Sequence, residues 1–324
     1  MTPNVELIPF RVPMVGGRAY EAVLVVMRRG DLSGLGEAPV VAARGGSLEG
    51  LLEELGAGAT NSAAAAAAWE TAQLDLEARE RGVPLAELLG GVCRRRVRCS
   101  ALVEDLRPDA VASAVDALRE EGFTTFKLKA ANGGGQLDLE RLGAARWAGG
   151  PRAALRLDFN GRPARSALPT LNHLHLELVE QPLPPTAAAL EWAALAAATG
   201  VTLAADESLA ERELACELAR QGTGLAIKLA TVGGPRAALA LAQAATGPVT
   251  FGSSYETGIG IAAALHAACA LGRPPLACGL ATRRLLEADL ATGLPEGPEL
   301  ELPTGPGLGV DLELEAVARY RLDR

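Results

Sequence analysis

The chain has little of what several functions require. Aromatic residues make up only 3% of its 324 positions, which leaves few platforms for stacking nucleic-acid bases. Its net charge of −8 argues against nucleic acid or an anionic membrane surface as the main partner. Five cysteines, Cys93, Cys99, Cys216, Cys269 and Cys278, show no C-x-x-C spacing. Neither a disulfide framework nor a zinc site is expected from them; reduced, buried thiols are. The most apolar stretch, Trp192 to Ala205, is Ala-rich and interrupted by Thr and Gly, and is too short to span a bilayer. The first residues, "MTPNVELIPFRVPM", lack a basic segment leading into an apolar core, so no signal peptide and a cytoplasmic protein are expected.

Lysine is the scarcest charged residue. Of 31 basic residues only three are lysines, Lys127, Lys129 and Lys228. Two of them share "FTTFKLKA", a β-branched and aromatic run of strand character, and the third lies in "LAIKLA". Arginine does not deprotonate in proteins, whereas lysine does so when its surroundings lower its pKa.

What is abundant points to a large soluble fold. Apolar residues form 49% of the chain and charged residues 22%, enough for one large domain or two. In the first 60 residues, "YEAVLVVMRR" reads as a strand and "GDLSGLGEAPV" as a turn into another extended piece. "NSAAAAAAWETAQLDLEARE" follows an Asn-Ser cap with strong helix formers, and "GVPLAELLGG" closes it. From residue 98 the text becomes periodic. Eight short apolar runs, "CSALVED", "TTFKLKA", "ALRLDFN", "LHLELVE", "VTLAADE", "GLAIKLA", "PVTFGSS" and "PLACGLA", alternate with stretches of helical character. Such alternation means parallel strands, and eight units fit a closed (β/α)₈ barrel. A doubly wound open sheet is the alternative, but the glycine-rich phosphate loop that often follows its first strand is missing.

The polar residues fall at one end of that barrel. Asp158, Glu180 and Asp206 close runs three, four and five, and Lys228 lies in run six, all near the C-terminal strand ends where barrel enzymes build active sites. Three converging carboxylates without thiols or imidazoles select a hard cation, Mg²⁺ before Mn²⁺. Lys127 and Lys129, two apart on a strand, share a face and point inward, with Lys228 across the barrel. Lysines flanking a divalent cation suit removal of a proton next to a carboxylate, with charge stabilisation of the resulting enediolate. The cation and three lysines outweigh the carboxylates, so a lysine pKa is expected to fall from about 10.4 toward about 7–8. The expected partner is a small-molecule carboxylate; a monomer and a homo-oligomer fit equally.

Taken together, the K-x-K of "FKLKA", "LDFNGR", "VEQPL", "AADES" and "AIKLATVGG" resemble the muconate-lactonizing subgroup of the enolase superfamily. The resemblance spans nearly the whole chain and implies a modified barrel with an α+β capping domain. It divides the chain into a capping domain at 1–92, a barrel at 93–298 and a C-terminal segment at 299–324 that packs back on the cap. It makes Asp158, Glu180 and Asp206 metal ligands, with Asn160 and Glu207 supporting them. Lys129 becomes the acid/base, Lys228 the opposing lysine, and Lys127 the group that tunes Lys129. None of the three histidines, His173, His175 and His266, ends a strand at the catalytic face, so a His–Asp base is not expected.

"FGSSYETGIG" resembles the S-S-x-E-[ST]-x-x-G segment of o-succinylbenzoate synthases. That resemblance implies syn dehydration of 2-succinyl-6-hydroxy-2,4-cyclohexadiene-1-carboxylate, a step of menaquinone biosynthesis. Ser253 and Ser254, with nearby backbone N–H groups and the following helix N-terminus, would bind the succinyl carboxylate; a serine cap on a helix beginning near Glu256 is the alternative. Loops around "VPMVGGRAY" and "AARGGS" would cover the mouth, with Arg18 a substrate contact. The same lysines would serve a racemase or epimerase of N-acylamino acids or dipeptides as two bases. The D-x-D of dipeptide epimerases is not seen after the eighth run. A muconate-type cycloisomerase and a barrel kept only for binding rank lower.

Overall fold

The computed structural model describes residues 3–41, 45–104, 107–130, 139–162 and 175–323. Three antiparallel strands come first: β1 (Asn4–Pro13), β2 (Ala19–Arg29) and β3 (Leu32–Pro39), in the order β1-β2-β3. The central strand β2 buries alternate residues in two cores. Val23, Val25 and Met27 meet helix α1 (Leu48–Gly56) and helix α2 (Ala63–Arg81), while Ala22, Leu24 and Val26 face Phe10 and Val12.

Helix α2 starts where the cap residue dictates. The hydroxyl of Ser62 accepts from the Ala65 N–H at 3.2 Å, and Gly82 ends the helix at φ 67°, a left-handed conformation that suits glycine. Its alanines let β3 lie directly on it. A Cβ placed on Gly36 would fall 1.9 Å from the Ala68 carbonyl oxygen, and one on Gly34 would fall 2.1 Å from that of Ala72. Asp75, fully buried in α2, accepts from the Leu35 N–H at 2.8 Å and the Leu308 N–H at 2.6 Å. A short helix α3 (Leu85–Leu88) and strand β4 (Arg96–Arg98) lead onward.

Seven parallel strands form the second sheet: β5 (Ala101–Val103), β6 (Thr125–Lys129), β7 (Ala154–Asp158), β8 (Leu176–Glu180), β9 (Leu203–Ala205), β10 (Gly224–Lys228) and β11 (Val249–Gly252), each beside its sequence neighbour. They correspond to the first seven apolar runs. Among the described residues six longer helices fall between or after them: α4 (Pro108–Glu120), α5 (Leu139–Gly149), α6 (Ala189–Thr199), α7 (Arg212–Gln221), α9 (Pro235–Ala244) and α10 (Gly258–Ala270), with the single turn α8 (Leu229–Val232) after β10.

The eighth run closes the cylinder without forming a ladder. Residues 276–280 join β11 through Leu276 N–H to Val249 O at 2.8 Å and Gly279 N–H to Phe251 O at 2.7 Å. On the other side Cys278 N–H reaches Arg98 O at 2.7 Å and Ser100 N–H reaches Cys278 O at 2.8 Å. The pairings there are isolated bridges, Cys99 with Cys278 and Gly252 with Gly279.

The chain end returns to its start. Short strands β12 (Ala291–Thr292) and β14 (Asp311–Leu312) pair with each other, β13 (Glu299–Glu301) pairs with β4, and helix α11 (Leu314–Tyr320) follows. Leu322 N–H then donates to Pro9 O at 2.8 Å. All five cysteines are free, but two of them, Cys93 and Cys216, are exposed rather than buried. Among the described residues no helix is long and apolar enough to cross a membrane.

Candidate active site

Strand register assembles the site. Lys129 pairs with Asp158 and Asp158 with Glu180 across β6, β7 and β8, while Asp206 directly follows β9. Lys127, Lys129, Asp158, Glu180 and Lys228 line a cavity of about 270 Å³, and the fully buried Asp206 is joined to it through its hydrogen bond from Lys228. Val40 and Val41 close it from the end of β3, and Ser253, Ser254 and Tyr255 from the loop after β11.

Each lysine engages a carboxylate. Lys129 Nζ donates to Asp158 Oδ2 at 2.8 Å and to Asn160 Oδ1 at 2.8 Å. Lys127 Nζ bridges Glu180 Oε1 at 2.9 Å and Asp158 Oδ2 at 3.4 Å. Opposite them, Lys228 Nζ donates to Asp206 Oδ2 at 2.5 Å. Asn160 passes the chain on, donating through Nδ2 to Glu207 Oε1 at 3.1 Å.

These neighbours set the charges. Burial works against the ammonium of Lys127, but Glu180, Asp158 and Asp206 outweigh it and hold its pKa above the ordinary value. Lys228 is raised in the same way, burial being overcome chiefly by Asp206. The lowering expected from the sequence is therefore not produced at these two lysines by protein groups, which set three carboxylates against them. Burial opposes ionisation of Asp158 too, yet Lys127, Lys129 and Lys228 keep it well below the usual carboxylate range. Glu180 is pushed up, first by burial and then by Asp158 and Asp206 against the pull of Lys127.

Two observations bear on a cation. Asp206 Oδ1 is buried without a hydrogen-bond partner, and such an oxygen is costly unless something positive faces it. Asp158, Glu180 and Asp206 also present oxygen donors alone, the set a hard divalent ion takes. Among the described residues no three potential ligands enclose an ion as they stand; between Asp158 and Glu180 lies the Lys127 ammonium. The donor chemistry fits Mg²⁺.

Several supporting residues were not singled out from the sequence. Gln181, within "VEQPL", is fully buried at φ 43°. Its Oε1 accepts from the Asp206 N–H at 2.9 Å and the Ser208 N–H at 3.1 Å, and its Nε2 donates to Ser208 Oγ at 2.8 Å. Arg156, buried below Asp158, donates to Glu177 at 2.6 Å and across the barrel to Ala277 O at 2.7 Å. Its signal was inward spacing, two residues before Asp158.

The loop after β11 differs from expectation. Helix α10 begins at Gly258, and its cap is Thr257 rather than a serine. Nor is that helix end open to a ligand. Glu37, from "GLGEAPV", accepts from the Thr257 N–H at 3.0 Å, the Thr257 hydroxyl at 2.7 Å and the Gly260 N–H at 3.0 Å. Asp289 takes the Gly258 N–H at 2.9 Å. Ser254 N–H is held by Glu256, whose carboxyl is pushed up to about 7 by burial and by Glu37. Ser253 Oγ lies 2.5 Å from Thr282 Oγ1.

Arg18 pairs with Glu104 and lies over the ring of Tyr255, which lines the cavity. The hairpin "VPMVGGRAY" docks on the barrel through Val15 N–H to Leu285 O at 2.9 Å, whereas 42–44 of "AARGGS" lie outside the described residues. His173 does too. His175 precedes β8, away from the strand ends that carry the carboxylates, and His266 is buried in α10.

The family described as enolase C-terminal domain-like matches residues 109–317. An o-succinylbenzoate synthase of Thermobifida fusca (strain YX) is 38% identical over 205 residues, 61% of this chain and 63% of the synthase, just under two thirds of its length. Muconate cycloisomerase 1 of Rhodococcus opacus is 31% identical over 95% of this chain and 84% of its own. Chloromuconate cycloisomerase of Delftia acidovorans is 33% identical over 81% of this chain and 74% of its own. The solved structure of muconate lactonizing enzyme from Pseudomonas putida superposes with a TM-score of 0.89 at 26% identity, covering 99% of this chain and 100% of that one. With its barrel, cap strands and carboxylate and lysine strand ends, the chain belongs to the enolase superfamily, in the subgroup of the muconate-lactonizing enzymes.

Proposed function

We propose that the protein is an o-succinylbenzoate synthase, dehydrating 2-succinyl-6-hydroxy-2,4-cyclohexadiene-1-carboxylate to o-succinylbenzoate. The observation that carries this reading is "SSYETG" on the cavity wall, with Ser253, Ser254 and Tyr255 all lining it. The 38% identity to a synthase supports it.

In this reading Lys129, as the free amine, takes the α-proton. It returns that proton to the departing hydroxyl on the same face, and water leaves as the ring becomes aromatic. Asn160 and Asp158 fix its amine, each at 2.8 Å. Lys228, across the cavity, sets its ammonium against the charge that develops on the substrate carboxylate. Lys127 stays charged and tunes Lys129. Asp158, Glu180 and Asp206 would hold Mg²⁺, or Mn²⁺ in its place, which when bound supplies further stabilisation of that charge. Residues 1–92 act as the cap, 93–298 as the catalytic barrel and 299–324 as a strap back to the cap, supported by the Leu322 to Pro9 hydrogen bond.

A second reading, cycloisomerisation of a muconate, is favoured by relatives that match more of the chain. Racemisation of N-succinylamino acids would use Lys129 and Lys228 as opposed bases. One experiment separates the three. Purified protein with Mg²⁺ is given the cyclohexadiene carboxylate, cis,cis-muconate, or N-succinylamino acids in D₂O. Formation of the aromatic product as the fastest reaction is expected; fast α-deuterium exchange or lactone formation without dehydration would overturn the synthase reading.

A further inference from the structure

At the cavity rim one protein carboxylate sits in what amounts to a carboxylate receptor. Glu104, directly after β5, accepts from Arg18 Nη2 through Oε2 at 2.5 Å and from the Tyr255 hydroxyl through Oε1 at 3.0 Å. The two donors thus converge on the two oxygens of one carboxylate. The Arg18 guanidinium also lies over the Tyr255 ring, 5.4 Å from its centroid, so stacking holds it in place whether or not Glu104 is there. Tyr255 itself lines the cavity.

The backbone here is committed to this arrangement. Tyr255 has φ 70°, a left-handed conformation that a bulky residue rarely adopts and that functional sites often retain. The hairpin carrying Arg18 is tied to the barrel, with Glu287 N–H donating to Pro13 O at 2.9 Å. The Arg18–Glu104 pair, by contrast, is easily exchanged. The side chains are 48% and 26% exposed, and ion pairs so near water hold weakly.

We propose that Arg18 and Tyr255 form a receptor for the second, non-reacting carboxylate of a dicarboxylate substrate, and that Glu104 is its internal competitor. This rests on the substrate class of the preceding reading, whose candidate substrates all carry two carboxylates. An incoming carboxylate displaces Glu104 from both donors. A neutral substrate tail cannot, because it offers the Arg18 guanidinium no negative charge in exchange for that of Glu104. Glu104 is thereby a specificity determinant acting before any chemistry.

The test is binding rather than turnover. N-succinyl-L-phenylalanine and N-acetyl-L-phenylalanine, which differ in the distal carboxylate, are titrated calorimetrically with Mg²⁺ present. Wild type is expected to prefer the succinyl probe. Glu104→Gln should widen the preference about five-fold by tightening the succinyl probe alone, and Arg18→Met or Tyr255→Phe should narrow it. An unchanged preference in Glu104→Gln, or equal weakening of both probes as expected of a mere strut, overturns the proposal. Binding of neither probe counts against the substrate class, and glutarate then decides about the rim. Followed by the ring NMR signals assigned to Tyr255, glutarate that binds more tightly to Glu104→Gln upholds the receptor, and glutarate that does not overturns it.

Discussion

Lys228 and Asp206 are locked together at 2.5 Å across the ends of two neighbouring strands, and Asp206 keeps its other oxygen buried and unpartnered. One carboxylate therefore holds the opposing lysine with one oxygen and has the second free for a cation. Lys129 stands in a matching relation to Asp158, at 2.8 Å on the facing wall. Each of these two lysines is positioned by a carboxylate of its own wall.

Replacing Lys129 by arginine keeps a positive charge beside Asp158 but removes a group able to lose its proton. Lys129→Arg is expected to be as inactive as Lys129→Ala, each down by about 10²–10⁴-fold or more in kcat. Steady-state rates on the preferred substrate check this, and substantial activity in the arginine variant would remove Lys129 as the base.

Mg²⁺ is expected to raise the melting temperature of the wild-type protein, since a ligand that binds only the folded state stabilises it. Asp206→Asn should abolish that increment. Gln181→Ala should weaken Mg²⁺ binding by about 10–100-fold, because the Asp206 and Ser208 N–H groups lose the acceptor that orients the loop. Chelator-insensitive turnover would count against the three-carboxylate site.

Gly36 has no room for a methyl group, with the Ala68 carbonyl oxygen 1.9 Å from where its Cβ would be. Gly36→Ala is expected to cost about 3 kcal/mol, the upper end of overpacking penalties, read from urea denaturation. Gly56→Ala, where a Cβ meets nothing within 4 Å, is the control and should be neutral or better.

His266 accepts from the Ala86 N–H at 3.0 Å and lies 3.1 Å from the Leu308 carbonyl, and burial lowers its pKa to about 4. Its folded pKa lies below the unfolded value of about 6.5, so its contribution is full above pH 6.5. That contribution falls away as pH drops toward 4, by up to about 3 kcal/mol. His266→Gln should be less stable than wild type at pH 8 and lose less on acidification, measured by urea denaturation at a series of pH values.

The lysines and carboxylates were legible because strand alternation and strand ends depend on local text: Lys127, Lys129, Asp158 and Glu180 sit where period two puts them. Glu37 was not, since its partners Thr257 and Gly260 are 220 and 223 residues away and no local pattern links them. That distant carboxylate is also why the helix after "SSYET" offers no open N-terminus. Gln181 lay inside a quoted motif, but its work is done through backbone atoms of the next strand. Glu104 and Tyr255 meet over 151 positions, and a left-handed tyrosine leaves no mark in composition.

The eighth wall of the barrel has a consequence for how the molecule breathes. Residues 276–280 are held to β11 and to residues 98–100 by isolated bridges, whereas β6 and β7 share an unbroken ladder and β7 pairs with β8 in register from Arg156 to Asp158. A cylinder joined this way is a curled sheet with a zip, and the zip is where thermal opening should start. Amide protons of Cys278 and Gly279 are then expected to exchange before those of Leu157 and Val179. The catalytic ladder can stay shut while the far wall parts.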